Sequence, residues 1–157
     1  TYSDGQYSAT VKVGDAARNP GEALFASDTS RVFTIDNTAP VLEELALEKT
    51  AGGWTLRATG RDQTSPLAGA EWRVLPAETP KKAGTASPIT PPVPSATSAI
   101  LWQALGASDG LFDGQSETIA GEISPLDAGV KVESGAKIEV RLRDAAGNLV
   151  TQTVVAP

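Results

Sequence analysis

The chain has neither histidine nor cysteine among its 157 residues, so its possible chemistry is reduced to carboxylate, lysine, serine and tyrosine groups. Carboxylates form two sets. In SDGLFDGQSE, residues Asp109, Asp113 and Glu117 are spaced four apart, which would align them on one face of a helix. Gly110 and Gly114 argue against that helix. An EF-hand loop is excluded as well, because it needs an oxygen ligand at its third position, where this stretch has Leu111. A glycosidase pair needs two carboxylates across a cleft, and the sequence offers no sign of one. Two tight turns, with Asp opening each and Gly110 and Gly114 at positive φ, account for the segment.

The second set is Asp36 and Asn37 in TIDNTAPV, Asp62 in GRDQTSP and Asp144 in RDAAGN. Each sits in a turn context, where Asp and Asn routinely hydrogen-bond their own backbone. If the three turns met, four oxygen-bearing side chains would converge, and calcium, which takes about six to eight oxygen ligands, is the cation suited to them. Turn capping and calcium binding both remain open, and no other cofactor is expected.

The elements that would carry these residues read as strands. Apolar and polar residues alternate in short windows bounded by Gly, Pro, Asn and Asp. GQYSATVKVGDAARN at residues 5–19 aligns with SGAKIEVRLRDAAGN at 134–148 under a shift of 129. The shift places Ala9, Val11 and Val13 on Ile138, Val140 and Leu142, the alternate positions that a half-buried strand turns inward. It also places Asp15 on Asp144 and Asn19 on Asn148. A second strand follows each turn, after a longer connection in the first copy.

Strands are expected near 41–48, 53–61, 68–75, 99–105, 117–123, 136–143 and 149–156. Seven short antiparallel strands fit an immunoglobulin-like β-sandwich whose last two strands are the second copy of the repeat. Residues 1–38 then read as the closing strand pair of a preceding module, and 39–157 as a complete sandwich. Pro40 denies the backbone a ladder bond where one hands over to the other. The competing reading makes residues 1–38 two further strands of one larger sandwich. In an immunoglobulin-like sandwich the first strand starts at the end that carries the loops holding Asp62 and Asp144, which is why Asp36 and Asn37 are expected beside them.

DGQYSATVKVGDAARNP, FTIDNTAPV and VRLRDAAGNL resemble the repeated signatures of bacterial immunoglobulin-like and fibronectin-type-III-like modules of large secreted or surface proteins. LWQALGASDGLFDGQSETI with the following LDAG is similar, more weakly, to sandwich modules that follow β-propeller repeats. The resemblance implies a spacer or contact module of an exported multidomain protein, with neighbouring domains of the same polypeptide as partners. The chain departs from the pattern at Arg18, where the second copy has Gly147.

Composition agrees with a non-catalytic module and excludes other classes. A net charge of −6 lacks the basic footprint that nucleic acid or an anionic membrane requires. No apolar run reaches the ~18 residues of a membrane helix. The absence of methionine suggests a piece or processed form of a longer protein, with any export signal upstream. Residues 76–98, with six prolines, read as a surface loop between the third and fourth strands, or as a docking or glycosylated segment. Of the tryptophans, Trp72 and Trp54 share phase with apolar neighbours and are assigned to the core. Trp102 is ambiguous, and with Asp109, Asp113 and Glu117 it is the candidate ligand-binding surface of an alternative function, a carbohydrate- or protein-binding module.

Overall fold

The computed structural model describes residues 2–15, 18, 21, 22, 24–76, 101–123 and 132–157. All regular elements among them are strands: β1 (Gly5–Tyr7), β2 (Thr10–Gly14), β3 (Phe25–Thr29), β4 (Phe33–Ile35), β5 (Val41–Thr50), β6 (Gly53–Arg61), β7 (Leu67–Val74), β8 (Gln103–Ala107), β9 (Ser116–Ile123), β10 (Lys137–Asp144) and β11 (Leu149–Val155). The last seven form an antiparallel, immunoglobulin-like sandwich with strand order β11-β10-β7-β8-β9-β6-β5.

Period-two alternation builds its core. Ile138, Val140 and Leu142 of β10 are fully buried, as are Leu56 of β6 and Ile119 and Ile123 of β9, while Trp54, Leu67, Trp72 and Val74 are nearly so. Both Trp54 and Trp72 are therefore core residues, and the Trp54 indole N–H donates to the Val132 carbonyl at 3.0 Å. A Cβ at Gly60 would lie 2.8 Å from Leu142 Cδ2 and from Leu67 Cδ1, so only glycine lets these leucines close the core at that end.

Leu42 and Leu47 of β5 are both buried although they lie five positions apart, a spacing that would place them on opposite faces of a regular strand. The register shift between Glu43 and Ala46, with Glu44 at φ 52°, restores the phase as a β-bulge does. The first half of β5 thereby reaches β11, where the Gln152 side chain donates to the Leu42 carbonyl at 2.9 Å.

β8 differs from the expected 99–105 strand. It begins at Gln103, pairs with β7 through Leu105, and then pairs with β9 through Gly106 and Ala107. A strand that passes from one sheet to the other takes its limits from its two partners, and its own apolar run does not set them. Except for Pro76, the Pro-rich 76–98 segment lies outside the described residues.

The N-terminal strands form two separate ladders, β1 with β4 and β2 with β3, and neither joins the seven-stranded sheet. Together they make one long antiparallel hairpin, interrupted where the Ala9 N–H bonds the Ser30 hydroxyl. Its end matches that of the β10–β11 hairpin. The Asp15 N–H donates to the Leu24 carbonyl and Asp15 Oδ1 accepts from the Leu24 N–H, as Asp144 does with Asn148. The surroundings of the two copies differ. Val11 and Val13 are each 63% exposed, whereas Val140 and Leu142 are sealed. Val140→Ala should thus lower stability by about 2 kcal/mol, from two lost methyls and a cavity. Val11→Ala should stay within about 0.5 kcal/mol. Urea denaturation midpoints of the two variants test this contrast.

Candidate functional site

Strand phase determines where the acidic residues end up. Asp144 follows Ile138, Val140 and Leu142 in the inward phase of β10 and is fully buried. Asp62 continues the phase of Leu56, Ala58 and Gly60 just past β6 and is 8% exposed. Both carboxylates therefore lie at one end of the sandwich, beneath the loops after β6 and β10, which are tied together by the Ala145 N–H bonding the Pro66 carbonyl at 2.9 Å. Asp36, in the connection from β4 to β5, reaches the same end. One carboxylate oxygen from each of Asp36, Asp62 and Asp144 lies within 4.8 Å of the others.

Each carboxylate also holds its own turn. Asp62 Oδ1 accepts from the Thr64 and Ser65 N–H groups, both at 2.8 Å. Asp144 Oδ1 accepts from Gly147 and Asn148 N–H at 2.7 and 2.8 Å, and its Oδ2 from the Asn148 side-chain amide at 2.9 Å. Gly147, at φ 97°, gives that turn its left-handed residue. Asp36 Oδ1 accepts from Thr38 N–H at 3.1 Å, while its Oδ2 is buried and has no hydrogen-bond partner. Among the described residues, none of the three carboxylates forms an ion pair. An open groove of about 850 Å³, lined in part by Asp62, Gln63, Thr64 and Thr38, borders the cluster on its Asp62 side.

Asn37 does not join this group. Its side-chain amide donates to Asp4 Oδ1 at 2.8 Å and to the Tyr2 carbonyl at 3.1 Å, and its N–H donates to Asp4 Oδ1 at 2.7 Å. Successive side chains in an extended segment point opposite ways, so Asn37 faces the hairpin while Asp36 faces the sandwich. Two participants were absent from the sequence-based set. Asn148 bridges the two bodies, its side-chain amide reaching both Asp144 Oδ2 and the Asp36 carbonyl at 3.2 Å. Asp4 gathers Asn37 and the Thr38 hydroxyl. The Asn19–Asn148 match in the repeat was a signal for the first. Nothing local marked the second, whose partners are more than 30 positions away.

The Thr38 hydroxyl, followed by the Asn37 N–H and side-chain amide, holds the Asp4 carboxyl below its ordinary value of 3.8. A carboxylate with a depressed pKa contributes its stabilisation above the ordinary value and loses it as pH falls through the lower, folded one. The Asn37 amide resonance should accordingly titrate with a midpoint below 3.8, and Asp4→Asn should abolish the titration. A midpoint at or above 3.8 would contradict the contact.

The other candidates are dispersed among their own turns. Asp109 Oδ1 accepts from Leu111 N–H at 3.1 Å, beside Gly110 at φ 94°. Glu117 is buried, not surface-facing, and its Oε1 accepts from Gly114 N–H at 2.7 Å and Asp113 N–H at 3.3 Å. Gly114 does not have the expected positive φ. A Cβ there would stand 2.8 Å from Glu117 Oε1, so any larger residue would push on the carboxylate that caps the turn. Trp102 is half-buried, with the guanidinium groups of Arg73 and Arg141 at 4.4 and 4.1 Å from its ring centre. Those arginines pair in turn with Glu139 and Glu71. The ring thus anchors a charged ladder across β7 and β10.

Compared with family models, curated proteins and solved structures, the chain matches none. The candidate site accordingly rests on its own geometry: a seam between two β bodies, tied by hydrogen bonds from both sides.

Proposed function

We propose that the chain is a non-catalytic connector of a larger exported bacterial protein, in which a β-sandwich fixes the spacing and orientation of the module whose closing hairpin is residues 1–38. The observation that carries this reading is the two-sided tether at residues 36–38. Asn148 of the sandwich holds the Asp36 carbonyl, and Asp4 of the hairpin holds Asn37 and Thr38. A flexible linker would leave these polar groups to water, and three consecutive residues bonded to both bodies leave the connection little torsional freedom.

The exposure of Val11 and Val13, set against the burial of their repeat equivalents, supports assigning the hairpin to a separate module. The sequence signatures in FTIDNTAPV and VRLRDAAGNL support placing that pair of modules in a secreted or surface protein. Candidate catalytic carboxylates are engaged as turn acceptors, which supports a structural role over hydrolysis.

Backbone ¹⁵N relaxation on the intact chain tests the reading. Amides of β1–β4 and of β5–β11 should report one common tumbling time, and Asn148→Ala should separate the two sets. Independent tumbling in the parent chain would overturn the connector role.

A further inference from the structure

We propose that Asp36, Asp62 and Asp144 form a calcium site that clamps the connection after β4 to the loop end of the sandwich. The site deepens the connector reading and relies on it for biological purpose, while its geometry stands independently.

Two observations beyond the gathering of acidic residues point to a cation. The first is Asp36 Oδ2, a carboxylate oxygen sealed from solvent with no donor. A buried acceptor without a partner is rare and costly, and an ionised one more so, unless a positive group completes it. The second is Asp62, more than nine-tenths buried, which accepts hydrogen bonds from the described residues through Oδ1 alone. Asp144 is buried completely, and no described lysine or arginine pairs with any of the three. Among the described residues, the fold has thus brought three carboxylates together at one end of the core without a compensating side chain.

The ligand set favours calcium over magnesium. Calcium takes about six to eight oxygens at about 2.3–2.6 Å in permissive geometry, whereas magnesium, at about 2.0–2.1 Å, demands near-octahedral order and dehydrates reluctantly. Three carboxylates held by three separate turns, with an oxygen of each within 4.8 Å of the others, suit the more permissive ion. Turn capping does not compete with this role. Asp36 and Asp62 each use one oxygen for the backbone and keep the other, and the Asn148 amide that meets Asp144 Oδ2 fixes the orientation of that carboxylate. The groove that Asp62 lines brings solvent to that side of the cluster, where completing waters would bind.

The test is calorimetric titration of the intact, chelator-treated chain with CaCl₂ and, separately, MgCl₂, alongside thermal unfolding in each. The expected result is one saturable calcium site with Kd of about 10⁻³ M or tighter, as in extracellular modules, together with a melting temperature that rises with calcium. Magnesium should bind at least tenfold more weakly. Asp36→Asn keeps the acceptor for Thr38 N–H and removes an uncompensated charge, so it should fold with a metal-free melting temperature no lower than the parent's and lose calcium affinity at least tenfold. Asp109→Asn, with the same change in charge outside the cluster, should bind as the parent does. No saturable binding up to about 10 mM calcium, or equal affinity in Asp36→Asn, would overturn the site. Either result would leave the relaxation test of the connector reading intact. Conversely, calcium binding to a chain whose two bodies tumble independently would uphold the site and sink the connector.

Discussion

Trp72→Ala is expected to destabilise the sandwich by about 3–5 kcal/mol, the range for truncating a large buried aromatic. Trp72 is 3% exposed in the middle of β7, opposite Val140 on β10 and Gln103 on β8, so its ring is enclosed by both neighbouring strands and by the facing sheet. Alanine would leave a cavity that close-packed β-branched and leucine neighbours fill only in part. Chemical denaturation followed by circular dichroism gives the loss directly. Accessibility of the Trp72 ring to an aqueous quencher in the folded parent, resolved with the other two tryptophans replaced by Phe, would remove its core assignment.

Asp144→Ala should cost about 2–4 kcal/mol, because it strips acceptors from three donors in a buried turn at once. Those donors are the Gly147 and Asn148 N–H groups and the Asn148 side-chain amide. The amide also holds the Asp36 carbonyl, so the substitution should disturb the seam as well as the fold, visible as faster hydrogen exchange at Thr38. Asp144→Asn retains an acceptor for the two backbone donors and should cost less. Asp15→Ala, at the repeat-equivalent but exposed position, should cost at most about 1 kcal/mol. Equal losses from Asp15→Ala and Asp144→Ala would mean that burial of the second turn contributes nothing.

The seven-strand sandwich was legible because alternation is a binary, periodic signal and burial enforces it. The loops after β6 and β10 share one end of the sandwich, which is why Asp62 and Asp144 are expected to meet, and the strand phase that turns both inward is what buries them. Three features were less accessible. Asn37 faces away from the cluster because its partner, Asp4, lies on another strand, and no local pattern encodes that pairing. The limits of β8 depend on two different sheets. The bulge in β5 is announced only by the five-residue interval between Leu42 and Leu47, an interval readable in retrospect as a phase slip. Periodicity reports which face a residue occupies, whereas hydrogen-bond partners depend on tertiary neighbours.

Pulsed dipolar spectroscopy measures the rigid seam most directly. The chain has no cysteine, so spin labels at Asp28→Cys on β3 and Glu122→Cys on β9 report the separation of hairpin and sandwich without background. A rigid seam gives one narrow distance distribution in the parent chain that broadens with Asn148→Ala. A broad distribution in the parent, unchanged by loss of the Asn148 amide, would contradict it.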